Sequence, residues 1–406
     1  MICSSEDVKM QKIFLKILTL VIILTFTSCG VPSAEKPDAT GDTQPGKTIS
    51  KAEQLMKNMT LEEKTGQLFM IRPDALKLNL TAEQIGDSKA YGATELDSQM
   101  TEALKQYHIG GVAIFGKNIS SPTQLIDFID EMQEQSKIPL FVGIDEEGGS
   151  VSRIANAKGF DVTRYESMEA IGLTADSKNA QNVGFTIGSY LKRYGFNLDF
   201  APVADVNTNP ENSVIGNRSF GSDPALVAKM VSAEIAGFHE AGIMSCVKHF
   251  PGHGDTKGDT HKGLVSTEKT WEELKRCELI PFTNAFKHTD MVMISHITAP
   301  NITSDGLPAS LSNEMIAGKL RKELNYDGVV ITDSMAMGAV TQEYTSGTAA
   351  VKSVLAGADI ILMPENFAEA YTGVYDAVKN GTISEARIDE SVLRILSLKE
   401  KYDLLK

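Results

Sequence analysis

From residue 51 onward, short apolar runs alternate with longer amphipathic segments. The runs are rich in Val, Ile, Phe or Met, which is typical of strands buried on both faces of a parallel sheet. The eight predicted strands are Gln67–Ile71, Gly111–Phe115, Leu140–Ile144, Asn197–Val203, Ile243–His249, Met291–His296, Gly328–Thr332 and Asp359–Met363.

Helix-like segments with capping residues lie between these strands. Ser121-Pro122 precedes Thr123–Gln135, Thr270 precedes Trp271–Lys287, and Ser312 precedes Asn313–Asn325. Eight strands alternating with helices predict an α/β protein with a closed (β/α)8 TIM barrel, in a single catalytic domain of residues 51–406. A doubly wound open sheet is the alternative, but no glycine fingerprint for a dinucleotide follows the first strand.

Polar and charged residues follow most of the predicted strands directly. In a barrel these residues meet at the C-terminal face, where catalytic residues of this fold lie. They are Asp145-Glu146-Glu147, Asp205-Val206-Asn207, Lys248-His249, Ser295-His296, Thr332-Asp333-Ser334 and Met363-Pro364-Glu365.

The segment Lys248–His261 reads KHFPGHGDTKGDTH and carries the densest chemistry of the chain. One interpretation is a metal hydrolase, with His249, His253 and His261 as ligands beside Asp255 or Asp333. The other is nucleophilic and acid/base catalysis on a sugar. A lysine beside the first histidine and a mobile glycine-rich loop disfavour a metal, so we expect no metal and no other cofactor.

Five motifs carry a resemblance to a known family. They are Gly143-Ile-Asp-Glu-Glu-Gly-Gly149 with Arg153, Ala201-Pro-Val-Ala-Asp-Val-Asn207, Arg218-Ser-Phe-Gly221, Lys248-His-Phe-Pro-Gly-His-Gly-Asp-Thr256 and Ile331-Thr-Asp-Ser-Met335. From about residue 51 to the C-terminus, the chain resembles glycoside hydrolase family 3, and within it the β-N-acetylglucosaminidase (NagZ-like) branch.

The resemblance implies roles for three catalytic residues. Asp333 matches the nucleophile, which forms a covalent glycosyl-enzyme and retains the anomeric configuration. His261 matches the acid/base of this branch, and Asp259 would orient its imidazole. Thr260 departs mildly from the usual serine but keeps the hydroxyl. The structural alternatives are a helix N-cap for Asp333 and a solvated loop end for the pair.

The same resemblance implies a set of sugar-binding residues. Asp145 would accept hydrogen bonds from ring hydroxyls, and four cationic or imidazole side chains would hold the others: Arg153, Arg218, Lys248 and His249. The structural alternative for the two arginines is an ion pair that braces the barrel rim. Ser150 stands where the family often has arginine.

Other polar residues at the strand ends are interpreted differently. Glu146 and Glu147 are candidates for the acid, but Glu147 precedes a Gly-Gly turn and is interpreted as structural. Asp205 and Asn207 are interpreted as structural too. For His296, a pocket-lining role and a core hydrogen bond stay equally open.

The predicted function is an exo-acting retaining β-N-acetylglucosaminidase that releases terminal GlcNAc from glycans, with peptidoglycan muropeptides as the first candidate substrate. Phosphorolysis of the same bond, β-glucosidase activity and a non-catalytic glycan-binding barrel are the alternatives. The acid glutamate of the glucosidase relatives usually comes from a second domain, so the short chain favours the GlcNAc branch.

Charge and the N-terminus bear on location and partners. The formal net charge of -14 disfavours nucleic acid and anionic membrane surfaces as partners. Residues 1–28 resemble a lipoprotein signal peptide, with small residues before Cys29, the predicted lipidation site. Residues 29–50 predict a flexible tether. We therefore expect an exported bacterial lipoprotein that is monomeric and touches the membrane only through its lipid anchor, with Cys246 and Cys277 as free thiols.

Overall fold

The structure is a computed structural model, and it describes residues 49–405. At its centre lie eight short strands whose residues are all buried, and each coincides with one of the predicted strands. They are β1 Phe69–Ile71, β2 Gly111–Ile114, β3 Phe141–Ile144, β4 Leu198–Asp199, β5 Met244–Phe250, β6 Met291–Ile294, β7 Val329–Thr332 and β8 Ile361–Leu362.

The strands form a closed ring. Each of β1 to β6 pairs in parallel with the next strand along the chain, and β8 pairs in parallel with β1. A parallel bridge between Ile331 and Ile360 joins β7 to β8, with the Thr332 N–H donating to the Ile360 carbonyl at 3.0 Å. The predicted (β/α)8 barrel is confirmed, and the open-sheet alternative is wrong.

The barrel interior is a packed core, as in other barrels of this size. Inward-facing side chains from the strands fill it, among them Met70, Ala113, Phe141, Leu198, Met244, Met291, Ile331 and Leu362. Ile395 and Leu398 of the last helix join the same cluster. The side-chain nitrogen of Lys399 donates to Gln67 Oε1 at 2.7 Å and to the Gly110 carbonyl at 3.0 Å. The last helix therefore seals the end of the barrel where the strands begin.

Helices surround the strands on the outside of the barrel. In chain order the α-helices are α1 Lys51–Lys57, α2 Leu61–Gln67, α3 Ala82–Gly86, α4 Ser98–Tyr107, α5 Pro122–Gln135, α6 Met168–Gly172, α7 Ser177–Arg193, α8 Pro224–Glu240, α9 Trp271–Arg276, α10 Leu279–Ala285, α11 Gly338–Thr341, α12 Ser346–Ala356, α13 Phe367–Lys379 and α14 Glu385–Lys401. Short 3-10 helices span Pro73–Leu76, Gly116–Asn118, Gly216–Arg218 and Ala309–Leu311.

The predicted helix starts agree with the structure, because the capping chemistry is local. The Ser121 hydroxyl accepts the Gln124 N–H at the start of α5, and Pro122 occupies the first turn. Thr270 and Glu273 form a capping box at the start of α9.

Two predicted helices differ from the structure. The segment Trp271–Lys287 breaks into α9 and α10 at Cys277, because Pro281 lacks the N–H that would bond to the carbonyl of residue 277. The segment Asn313–Asn325 becomes a π-helix over Glu314–Glu323, closed by a bond from the Leu324 N–H to the Lys319 carbonyl.

A small strand pair lies outside the barrel and was not predicted. Val265–Ser266 pairs in parallel with Ile297–Thr298. It fixes the chain after β5 to the chain after β6, so the long loop after β5 is anchored at both ends.

The N-terminal predictions fall almost wholly outside the described part of the chain. This applies to the signal peptide of residues 1–28, to Cys29, and to the tether of residues 29–50 except Ile49 and Ser50. From residue 49 to residue 405, no helix combines the length and apolar character that crossing a bilayer requires. Cys246 and Cys277 are free thiols, as predicted.

Candidate active site

A cavity of about 440 Å³ opens at the C-terminal end of the barrel. Side chains that follow β1, β3, β5 and β7 line it, together with the loop after β4. All eight residues with a predicted catalytic or sugar-binding role lie in or beside it: Asp145, Arg153, Arg218, Lys248, His249, His261 and Asp333 line the wall, and Asp259 contacts His261.

An ionic cluster occupies one side of the cavity. The Lys248 ammonium group donates to Asp145 Oδ1 at 2.7 Å and lies 2.6 Å from Glu147 Oε1. The Arg218 guanidinium donates from Nε and Nη2 to the two oxygens of Glu147, at 2.8 and 2.7 Å. Arg153 Nη2 lies 3.8 Å from Asp145 Oδ2. Glu147 therefore joins the two cations, which is the geometry of a buried bidentate ion pair.

The charges of this cluster keep Glu147 and Lys248 ionised. Burial acts to raise the pKa of Glu147, but Lys248 and Arg218 outweigh it and hold that pKa far below its usual range. Burial acts to lower the pKa of Lys248, and Asp145 and Glu147 outweigh it in turn. The ammonium group uses two of its three donors on these carboxylates and retains one for a ligand.

A second hydrogen-bonded unit holds His249 in place. Asp205 is fully buried, and its Oδ2 lies 2.7 Å from His249 Nδ1. Its Oδ1 accepts the His253 backbone N–H at 2.6 Å. Burial acts to raise the pKa of Asp205, but His249 outweighs it and lowers the pKa below its usual value. Since the carboxylate takes Nδ1, His249 presents Nε2 to the cavity.

Asp333 follows β7 directly and its backbone N–H donates to the Ile294 carbonyl at 2.8 Å. The Ser334 N–H donates to Asp333 Oδ1 at 2.7 Å. Burial acts to raise the pKa of Asp333, but the fields of His249, His296 and Lys248 and the Ser334 hydrogen bond lower it below the usual aspartate value. The carboxylate is therefore ionised at neutral pH, as a nucleophile has to be.

Asp259 and His261 form a pair on the long loop after β5. His261 Nδ1 lies 2.9 Å from Asp259 Oδ1, which also accepts the His261 backbone N–H at 3.0 Å. The imidazole is 69% exposed. Partial burial acts to raise the pKa of Asp259, but the His261 hydrogen bonds outweigh it and lower the pKa. This geometry leaves Nε2 as the atom that can exchange a proton with a ligand.

His296 and the loop histidine His253 have partners in the core. His296 is fully buried, with Nδ1 2.7 Å from the Ser310 hydroxyl and Nε2 2.9 Å from the Ser334 carbonyl. His253 Nδ1 lies 2.8 Å from the Thr256 hydroxyl. Within residues 49–405, no group of three or more His, Cys, Asp or Glu side chains is arranged to hold a metal ion.

The structure adds cavity residues that sequence reasoning passed over. Arg72 follows β1, lines the cavity, and its guanidinium lies 4.1 Å from the Phe115 ring centre. Arg153 lies over the same ring at 5.5 Å. Arg72 could have been found from its place directly after a strand, the signal that found the others. Glu147 was interpreted as structural, and its double pairing with cavity cations could not be read from its neighbours in sequence.

Glu146 lies behind the cavity wall and holds part of it in place. Its carboxylate accepts the backbone N–H groups of Arg153, Ile154 and Ala155 and the Tyr190 hydroxyl. It thereby fixes the segment that carries the Arg153 side chain, and it has no free face toward the cavity to act as an acid.

Comparisons with known proteins identify the family of this chain. The family profile described as "Glycosyl hydrolase family 3 N terminal domain" matches residues 60–398. "Beta-hexosaminidase A" of Pseudoalteromonas piscicida is 32% identical over 342 residues, which cover 78% of this chain and 57% of that protein. "Beta-hexosaminidase LpqI" of Mycobacterium tuberculosis is 32% identical over 309 residues, covering 73% and 77%.

A solved structure is similar over most of the described fold. It is a glycoside hydrolase family 3 beta-N-acetylglucosaminidase from Paenibacillus sp. str. FPU-7, with a TM-score of 0.77 and 37% identity, covering 85% of this chain and 63% of that one. The chain thus spans less than two thirds of the length of this protein and of the Pseudoalteromonas relative.

Proposed function

Because this chain belongs to glycosyl hydrolase family 3, as its motifs predicted, we propose that it is an exo-acting retaining β-N-acetylglucosaminidase. The names of its relatives support the sugar: two are called beta-hexosaminidases, and one solved relative is called a beta-N-acetylglucosaminidase. The observation that carries the proposal is that an ionised Asp333 and the Asp259–His261 pair meet at one cavity.

In the first step, a carboxylate oxygen of Asp333 attacks the anomeric carbon and the bond to the leaving oxygen breaks. The leaving oxygen takes a proton from His261 Nε2, whose other nitrogen is held by Asp259. In the second step, water gives a proton to His261 and attacks the anomeric carbon, and Asp333 departs as a carboxylate. Two displacements at one carbon retain its configuration.

The ionic cluster is the proposed sugar-binding wall. Asp145 accepts hydroxyl protons, Lys248 and Arg153 donate to hydroxyl oxygens, and His249 contacts the sugar through Nε2, because Asp205 holds its Nδ1. Arg218 spends three donors on Glu147 and the Val214 carbonyl, so its main task is to fix Glu147 and thereby Lys248. A sugar that lacked one of these hydroxyls would leave a buried charge unpaired, which makes such a wall selective.

The natural substrate is proposed to be a bacterial glycan with terminal β-linked GlcNAc, and a peptidoglycan muropeptide is the first candidate. We further propose that residues 1–28 are removed as a signal peptide and that Cys29 carries the lipid anchor, with residues 29–50 as a tether. Replacing Cys29 with alanine should move the protein from the membrane fraction to the soluble fraction of the producing cell. Unchanged membrane association would contradict the anchor.

The test of the activity uses the full-length chain in detergent, with 4-nitrophenyl β-GlcNAc and 4-nitrophenyl β-glucose and with EDTA present. We expect nitrophenol release from the GlcNAc substrate alone and none from the Asp333→Ala variant. A matched control is Asp327→Asn, which removes the charge of an aspartate that is 92% exposed. Residual activity in Asp333→Ala, release from glucose alone, or loss of activity with EDTA would each contradict the proposal.

Two further measurements separate hydrolysis from its alternatives. Inorganic phosphate should leave the GlcNAc yield unchanged, whereas formation of GlcNAc-1-phosphate would indicate a phosphorylase. The His261→Ala variant should keep activity on a 2,4-dinitrophenyl glycoside, whose leaving group needs no proton, and sodium azide should accelerate it by attacking the glycosyl-enzyme without a base.

A further inference from the structure

The long loop after β5 has two halves that are held differently. Residues 251–256 are fixed by buried groups: Asp205 accepts the His253 N–H at 2.6 Å, and the Asn212 side chain donates to the His253 carbonyl at 2.7 Å. Residues 257–264, which carry the catalytic pair, are more exposed. The position of the pair therefore depends on what holds this second half.

Within the loop, Thr260 Oγ1 lies 3.5 Å from His253 Nε2, and outside the loop a single turn holds the second half. We call Gly338–Gln342 the docking turn; it comprises α11 and the residue after it. Among the described residues, every hydrogen bond from residues 257–264 to a part of the chain outside this loop ends on the docking turn. The three bonds run from the Ala339 N–H to the Thr260 carbonyl at 3.1 Å, from the Gly338 N–H to the His261 carbonyl at 3.3 Å, and from Gln342 Nε2 to the Lys262 carbonyl at 3.1 Å.

The loop also packs closely against the docking turn at Gly338, which is evidence of a specific contact independent of the hydrogen bonds. A Cβ atom at this position would lie 2.8 Å from the His261 carbonyl oxygen, 3.2 Å from Gln342 Nε2 and 3.3 Å from the Lys262 carbonyl carbon. The first distance is shorter than real Cβ contacts allow, so any side chain here would push the loop away from the turn.

The docking turn is also the continuation of the segment that begins with Asp333. That segment is tied to the barrel by the Asp333 N–H on the Ile294 carbonyl at 2.8 Å and by the Met335 N–H on the Leu362 carbonyl at 2.9 Å. One anchored stretch of chain thus carries Asp333 and also holds the loop that carries His261.

We propose that the docking turn sets the distance between the proton donor and the nucleophile, and that Gln342 and Gly338 are positioning residues for the reaction. The inference rests on the proposed function, because it concerns the acid/base role of His261. Proton transfer requires hydrogen-bond reach between donor and leaving oxygen, so a loosened loop should impair the step that needs the proton. Binding of the sugar by the ionic cluster should be untouched.

The experiment compares two substrates of the full-length protein, phenyl β-GlcNAc and 2,4-dinitrophenyl β-GlcNAc. Phenolate is a poor leaving group and needs a proton to depart. Dinitrophenolate is a good leaving group and departs without one. For Gln342→Ala we expect kcat/KM on the phenyl glycoside to fall roughly three- to tenfold, the ratio that loss of one net hydrogen bond gives, and kcat/KM on the dinitrophenyl glycoside to stay within about twofold.

Glu343→Ala is the matched control, since it removes the neighbouring exposed side chain, which makes no hydrogen bond or ion pair within residues 49–405. Both substrates should be unaffected by it. Gly338→Ala should reproduce the bias against the phenyl glycoside through the steric route, with its melting temperature measured alongside. If this variant fails to fold, Gln342→Ala alone decides the outcome.

An equal loss on both substrates, or no loss on either, in Gln342→Ala would overturn the positioning role while leaving the proposed function intact. Wild-type protein that hydrolyses neither substrate would overturn the proposed function and this inference with it.

Discussion

Glu147→Gln is the substitution whose consequence follows most directly from the geometry. The carboxylate is 1% exposed and lies within 2.8 Å of nitrogens from both Arg218 and Lys248. The glutamine keeps the size but removes the charge, so two buried cations lose a shared counter-ion. Breaking a buried ion pair by removing one partner costs about 3–5 kcal/mol, because the remaining charge is left uncompensated.

The expected change in melting temperature follows from the size of the described fold. An unfolding entropy of about 2.1 cal/mol/K per residue, over roughly 350 residues, converts 3–5 kcal/mol to a loss of about 4–7 °C. The assay is thermal unfolding by circular dichroism at neutral pH, at one fixed scan rate for all variants. The control is Asp327→Asn, which breaks a 3.0 Å pair with Arg394 in which the aspartate is 92% exposed. Surface pairs contribute at most about 1 kcal/mol, or some 1.5 °C here.

The same reasoning fixes the pH dependence of the Glu147 effect. The pKa of this carboxyl is lowered in the folded protein, so its contribution to stability is present above the unfolded pKa and is lost as pH falls toward the folded pKa. The gap between wild type and Glu147→Gln should therefore narrow below about pH 4. A Glu147→Gln melting temperature equal to that of Asp327→Asn at neutral pH would refute the reasoning and show that other groups compensate the two cations.

Three further outcomes are expected. Burial lowers the pKa of Lys399 to about 7, so folding disfavours its charged form; relative to Lys399→Met, the wild type should gain stability between pH 7 and pH 9, by up to about 1.4 kcal/mol per pH unit in urea unfolding. If the stability difference between wild type and Lys399→Met did not change from pH 7 to pH 9, the lowered pKa of Lys399 would be contradicted. Asp205→Asn should lower kcat/KM on 4-nitrophenyl β-GlcNAc about tenfold or more by releasing His249 from a charge-assisted bond, and retention of full activity would refute this role. Gly172→Ala should destabilise the fold, since its Cβ would lie 1.8 Å from a backbone carbonyl oxygen, whereas Gly86→Ala, at the end of a helix of equal length with nothing within 4 Å, should change stability by less than about 1 kcal/mol; similar values for the two would contradict the packing argument.

The barrel was predictable because its determinants are local. Each strand is buried on both faces and so appears as a short apolar run, such as Met291–Ile294, that no amphipathic helix would produce. Helix starts such as Ser121 followed by Pro122 are encoded within four residues. The order of strands follows from the alternation with helices, since consecutive parallel strands of such units lie side by side.

What could not be predicted depends on contacts between distant segments. The short strand pair of Val265–Ser266 with Ile297–Thr298 carries no pattern of its own, because two residues are too few to show a period. The pairing of Glu147 with Lys248 and Arg218 joins β5 to the segments that follow β3 and β4, and no local sequence pattern indicates it. The break at Cys277 was readable from Pro281, and a long helix was predicted there only because the apolar pattern continues past the proline.

The ionic cluster and the Asp259–His261 pair have opposite electrostatic requirements. The first needs burial and the second does not, which explains why one lies at the strand ends and the other on an exposed loop. The charges proposed to bind the sugar stand at strand ends, where burial strengthens each ion pair and fixed neighbours keep Lys248 and Glu147 ionised. A carboxylic acid serving as proton donor at neutral pH would need burial to raise its pKa, and the 69% exposed position of residue 261 cannot provide it. An imidazole exchanges protons near neutral pH without such burial. An exposed loop is therefore compatible with a histidine acid/base, provided that a contact such as the docking turn supplies the precision that burial would otherwise give.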